Sequence, residues 1–333
     1  MKKIFLLAGL FFLISMSLGY ATLSRYTPRS TIGLWDTDSY AAMVENRPAH
    51  AYWQQFRVLI PTLARPVRAL AEGRIGKWDP TTFSMLVVNG VFVAWAALVL
   101  LSVGARVTGD PLVGFCASLL YLVSFNVINL HLAGLVDSVE AWTILAATWS
   151  LGAGRWKLLP LIGAVGAAGK ETSIVLLIVF CGTWWVALAR SEAPSRGMLV
   201  WLAVMVMAQV ATVVAIQSSV AGHFVAPHEL AVGPRMLRWM ETPFWAHVLN
   251  REMLYSFGWL LPLGLLRLKR MPRPWVLASA VSTIAVFALA VWFAVKGNVS
   301  RPAFNVAGPI LILSASMLLA ELVRLKPVND GAS

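Results

Sequence analysis

Two aspartates two residues apart, Asp36 and Asp38, open the polar stretch "WDTDSYAAMVENRPAHAYWQQFRVLIPTLARP", residues 35–66 of a 333-residue chain. A carboxylate within hydrogen-bond reach of a hydroxyl can act as a general base. Cations that could stabilise a developing phosphate charge are also present: Arg57 in the same stretch, Lys170 in "GKETSIVLL", and Arg301 in "GNVSRP". Arginine offers a phosphate a bidentate fork, and lysine a point charge. Asp137 and Glu140 are three apart, so on a helix they share a face. Lys170 and Glu171 adjoin inside a Gly/Ala-rich apolar run. Each residue also has a plainer role. Asp36 or Asp38 could cap a helix starting near Tyr40, and Arg57 could orient an interfacial helix beside Tyr52 and Trp53. Asp137 and Glu140 could pair with cations of neighbouring helices, Lys170–Glu171 could close a hairpin, and His131 reads more readily as structural than as a ligand.

The elements that must position these groups are membrane elements. The chain is 59% hydrophobic and 13% charged, with mean hydropathy +0.73, which places it among polytopic membrane proteins. The net charge of +12 is carried mostly in short segments between apolar runs. It is read as topology signal and headgroup contact, not nucleic-acid binding. Cys116 and Cys181 both fall inside apolar runs, which argues against a disulfide framework. No Walker A, G-x-G-x-x-G, H-E-x-x-H, zinc spacing or serine nucleophile elbow occurs, and no inverted repeat is visible.

Lys2 and Lys3 precede an apolar run, Ile4–Tyr20, which suits a signal peptide or a signal anchor. We favour an uncleaved first helix. Further runs over 83–104, 111–130, 132–152, 199–220, 252–268, 275–295 and 303–322 predict spans. The stretch 158–188 is broken by Lys170 and Glu171. Placing the basic residues near 155, 190, 267–273 and 324 in the cytoplasm makes that stretch a short-helix hairpin. The expectation is a single all-α transmembrane helical bundle over 1–333 with about ten passes and both termini inside. Amphipathic helices lie in a first external loop (21–80), and a second external loop covers 221–250. The first loop carries eight Lys/Arg against five Asp/Glu, an exception tolerable at its length. With this topology Asp36, Asp38, Glu45, Arg57, His131, Asp137, Glu140, Lys170, Glu171, Arg235, Arg238, Glu241, Lys296 and Arg301 all gather at the outer face. Ionisable groups at membrane depth are costly and often functional.

The segments "WDTDSY", "FRVLIPTLARP", "GLVDS", "GKETSIVLL" and "SRPAFNVAGPILIL" together resemble bacterial integral-membrane glycosyltransferases of the GT-C fold that use polyprenyl-phosphate sugars. The likeness runs in short patches from Asp36 to Leu313, and "GNVSRP" lacks the acidic residue expected before its arginine. The resemblance implies transfer from a polyprenyl-phosphate-linked donor to a glycan, lipid or protein acceptor on the non-cytoplasmic face of the plasma membrane. It implies Asp38, or else Asp36, as base, and Lys170, Arg57 and Arg301 on the donor phosphate. Asp137, Glu171, Tyr40 and His131 would contact substrate or orient those cations. No cofactor is required, though the carboxylates are compatible with Mg or Mn. The competing readings are a transporter or flippase of lipid-linked saccharides and a non-catalytic scaffold in envelope polysaccharide assembly.

Overall fold

The structure is a computed structural model that describes residues 2–25, 35–50, 52–189, 196–230, 250–292 and 299–324. All regular structure among these residues is helical: α1 (Lys2–Arg25), α2 (Trp35–Val44), α3 (Leu59–Ala71), α4 (Pro80–Thr108), α5 (Pro111–Leu122), α6 (Asp137–Gly152), α7 (Leu159–Gly169), α8 (Thr172–Ala189), α9 (Arg196–Ala221), α10 (Arg251–Phe257), α11 (Leu260–Leu265), α12 (Arg273–Trp292) and α13 (Ser300–Arg324). Six of these contain stretches long and apolar enough to cross a bilayer: Lys3–Leu23, Pro80–Thr108, Thr172–Ala189, Arg196–Ala221, Arg273–Ala290 and Ser300–Arg324. The chain is therefore an all-α multi-pass membrane protein, since a backbone in hydrocarbon must satisfy its own hydrogen bonds.

Local sequence explains where the helices stop. Asp79 and Asp110 each cap a helix with a proline at its start. Asp79 accepts from the Thr82 backbone N–H and Asp110 from that of Leu112. Between them α4 ends at Gly109, whose φ of 71° is the left-handed conformation a helix C-terminus favours. Two expected spans are less regular than their hydropathy suggests. The run 252–268 is split into α10 and α11, because Pro262 has no N–H to return to Gly258 and its ring crowds that carbonyl. The run 111–130 ends as α-helix at Leu122, and a π-type turn, Val127–His131, follows before α6 starts at Asp137.

Packing depends on backbone approach. A Cβ placed on Gly114 of α5 would sit 2.5 Å from the Leu101 carbonyl oxygen of α4, and one on Gly163 of α7 would sit 2.7 Å from Met205 of α9. Small residues at such contacts let membrane helices gain dispersion contacts and close packing. The main core runs through α1, α4, α5, α6, α8, α12 and α13. A second, smaller core holds α2 and α3 against α4 and α6 through Tyr40, Ile60, Ala64, Met85, Phe92 and Val139. Gly114→Ala should therefore lower the thermal unfolding midpoint in detergent, with overpacking costing about 1–3 kcal/mol. Gly182→Ala meets no atom within 4 Å and should be neutral or slightly stabilising, because alanine is the better helix former.

Candidate functional site

The charged residues singled out by sequence converge at one end of the bundle. This end holds the N-termini of α6, α8 and α13, the residues after α7, and the α2 helix. Thr37 fixes α2 there: its hydroxyl donates to the Ala133 carbonyl at 3.0 Å, and its methyl occupies the space left by Gly134, whose φ is 81°. The helix already includes Trp35 and so does not start near Tyr40. Asp36 and Asp38 therefore lie inside its first turn, where a carboxylate complements the helix dipole.

Two residues apart on a helix means roughly 200° of rotation, so the two aspartates face different ways. Asp38 pairs with His50 at 2.9 Å on the exposed side. Asp36 turns towards the bundle, accepting from Gln54 Nε2 at 2.6 Å with Arg301 Nη1 at 3.7 Å. Tyr40, one turn on, shares that face, and its hydroxyl accepts from Arg57 Nη1 at 2.7 Å.

Arg57 also forks onto Glu171, with Nε donating to Oε2 at 2.9 Å and Nη2 donating to Oε1. Burial pushes the Glu171 carboxyl up, but the adjacent guanidinium and its hydrogen bonds outweigh this and hold it below the usual glutamate range. Burial likewise pushes the Tyr40 phenol up to about 12, so at neutral pH Arg57 meets a neutral acceptor. Deeper in, Lys170 Nζ donates to Asp137 Oδ1 at 2.6 Å and reaches Glu140 Oε2 at 3.5 Å. Asp137 in turn lies 3.7 Å from Arg301 Nη1. Glu140 is fully buried. It accepts from Asn305 Nδ2 at 2.8 Å and from the Thr172 hydroxyl. His131 Nε2 meets Asn305 Oδ1 at 3.1 Å.

The arrangement is a graded network. Glu140, Asp137 and Lys170 are buried; Arg57, Arg301 and Glu171 are slightly exposed; Asp36, with 34% of its side chain exposed, forms the rim. Most of its polar groups are engaged by protein partners. Two buried nitrogens of the network, His131 Nδ1 and Arg301 Nε, have no hydrogen-bond partner among the described residues; of the two, only the guanidinium carries a positive charge at every pH to offer an anion. Among the described residues no group of three or more His, Cys, Asp or Glu is arranged to hold a metal ion.

Of the expected site residues, the structure brings Asp36, Tyr40, Arg57, His131, Asp137, Lys170, Glu171 and Arg301 into this network and leaves Asp38 beside it. Glu45 lies elsewhere, bonded to Arg47 and Thr81. Arg235, Arg238, Glu241 and Lys296 lie outside the described residues. Sequence reading missed Gln54, His50, Thr172 and Asn305. Asn305 had a readable signal, for it stands four residues after Arg301 and so on the same helix face. Thr172 completes the "KET" stretch. Gln54 carried none.

Compared with known proteins, the sequence matches no protein-family model and no curated protein sequence. Fold and site together define a class: a multi-pass, all-α membrane protein with a mixed-charge network buried at one end of its bundle.

Two outcomes follow from the network. Lys170→Met would leave Asp137 and Glu140 buried without their shared cation and should destabilise the protein by about 3–5 kcal/mol. Thermal unfolding in detergent measures this, and Lys170→Met/Asp137→Asn should recover part of the loss. For Glu171 the folded-state pKa is depressed, so its stabilisation is complete above the unfolded value of about 4.3 and is lost as pH falls through the lower folded value. Glu171→Gln should therefore reduce stability at pH 7, and its deficit against wild type should shrink only when the pH is taken below about 4.

Proposed function

We propose that the chain is a glycosyltransferase of the GT-C type, moving a sugar from a polyprenyl-phosphate donor to an acceptor hydroxyl. In this reading it spans the bacterial plasma membrane about ten times, with both termini cytoplasmic and the network end outside. The shorter helices α5, α6 and α7 and the α10–α11 pair supply the passes beyond the six long spans. Support for the orientation comes from the opposite end, where Arg155, Lys157, Arg267, Lys269, Arg270 and Arg324 gather, as cytoplasmic loops require.

One observation carries the chemical reading: a partly exposed carboxylate, Asp36, faces an arginine with an unused donor, Arg301, at the rim of the buried network. Asp36 takes the acceptor proton as the acceptor oxygen attacks the anomeric carbon. The bond from that carbon to the phosphate oxygen breaks, and the lipid phosphate leaves as an anion. Arg301, through its free Nε–H, receives the developing phosphate charge. Arg57 and Lys170 already have carboxylate partners, so they hold Tyr40, Asp137 and Glu171 in place and add long-range positive potential. Asp38, paired with His50 on the open side, is placed to meet the incoming acceptor. The chain's own cations do the work required of a positive charge here, with Mg or Mn as the alternative. His131 supports Asn305 and so Glu140.

Membranes containing the protein and a polyprenyl-phosphate sugar test the reading. Asp36→Asn should lower transfer by about 10²–10⁴-fold while the unfolding midpoint stays near wild type. Asp38→Asn should mainly weaken acceptor use. Full transfer by Asp36→Asn would remove the proposed base, and counterflow of unaltered lipid-linked saccharide would favour a transporter. A scaffold role in a polysaccharide assembly would show as co-purification with a larger partner that is indifferent to both substitutions.

A further inference from the structure

Away from the charged network, an open cavity of about 350 Å³ lies where α1 packs on α4, lined by Met16, Tyr20, Ile75, Trp78, Phe83 and Leu86. Its walls are apolar and aromatic: Tyr20 and Trp78 stack with ring centres 4.7 Å apart, and Phe83 meets Trp78 edge-on at 5.8 Å. Two of its sides belong to membrane helices. Tyr20 is half exposed near the end of α1, a helix whose Ile4, Phe5, Leu6 and Leu13 also face outward. The cavity therefore lies where that span leaves the hydrocarbon, at the depth where aromatic belts form.

The third side is the segment "EGRIGKW", residues 72–78. Gly73 and Gly76 take φ of 72° and 65°, and the chain turns so that Ile75 and Trp78 line the cavity while Arg74 and Lys77, next to them in the chain, are exposed. The segment's own carboxylates are engaged. Glu72 lies 3.7 Å from Arg68, and Asp79 caps α4 through Thr82. Lys77 has no carboxylate partner among the described residues. An apolar cavity of this size at interfacial depth, with two exposed cations next in the chain to its lining residues, has the chemistry of an acyl chain beneath a phosphate.

We infer that this cavity is a binding site for an anionic phospholipid, one acyl chain lying against the apolar wall formed by α1 and α4 and the headgroup phosphate held by Arg74 and Lys77. The site is separate from the proposed transfer chemistry and does not rest on it. A lipid seated there would cover the Tyr20–Trp78 stack that joins α1 to the 72–78 segment, and so help hold both on α4.

Native mass spectrometry of the full chain in detergent tests this, with phosphatidylglycerol and phosphatidylcholine of matched acyl chains as probes. Wild type should retain phosphatidylglycerol in preference to phosphatidylcholine. Arg74→Gln/Lys77→Gln should reduce phosphatidylglycerol retention about 30-fold, since each of the two cations near a membrane surface is worth about 1 kcal/mol. Both residues are exposed, so folding should be unaffected. Met16→Trp, which fills the cavity, should abolish retention of both lipids. Equal retention of the two lipids by wild type would overturn the inference. So would unchanged phosphatidylglycerol retention in the double variant, or a loss seen only in Arg155→Gln/Lys157→Gln at the opposite end.

Discussion

A single lysine between two buried carboxylates constrains this bundle more than any other contact. Lys170, Asp137 and Glu140 come from three places in the chain: the bend between α7 and α8, the first residue of α6, and one turn further along α6. A charge withdrawn from water is tolerable only when it is paired and its remaining valences are filled. Glu140 therefore also takes Asn305 and Thr172, and Asp137 lies near Arg301. These contacts fix how far α6, α8 and α13 can slide past one another. A shift of one helical turn would separate Lys170 from both carboxylates at once.

That constraint explains why glycines cluster where they do. α7 ends in "GAVGAAG" immediately before Lys170. A Cβ on Gly169 would fall 2.5 Å from Val139, and one on Gly166 would fall 2.8 Å from Thr143. This close approach of α7 to α6 brings Lys170, the residue after α7, within 2.6 Å of Asp137. The small residues and the ion pair are two parts of one packing solution, one supplying the approach and the other the specificity.

Much of this was legible in the sequence, and the boundary of legibility is physical. Hydropathy marks the long spans because every lipid-facing residue reports directly on its solvent. The pairing of Lys170 with Asp137 was readable in kind, since two costly charges at similar depth must find partners. Which carboxylate each cation chose was not, because Arg57 reaches across 114 residues to Glu171 while Lys170, its immediate neighbour, turns the other way. The divergence of Asp36 from Asp38 was readable once the segment is helical, for spacing of two cannot share a helix face. A helix starting near Tyr40 would have left both aspartates ahead of its first turn, where that divergence does not show. Gln54 could not have been found, because a polar residue in an irregular segment carries no periodicity that reveals its direction.

Filled and unfilled valences separate structure from chemistry within the network. A group whose valences are filled by the protein stabilises the fold and has little left to offer a substrate. Lys170, Glu140 and the Arg57–Glu171 fork are of this kind. Asp36 and Arg301 are not: they face each other at 3.7 Å, longer than a direct hydrogen bond, with one carboxylate partly open to solvent and one guanidinium N–H unused. Holding them apart leaves a partly exposed carboxylate beside a guanidinium with an unfilled valence at the rim of the network. The buried ion pairs beneath prevent the two from collapsing onto each other, because Asp137 draws Arg301 inward at the same distance that Asp36 draws it outward.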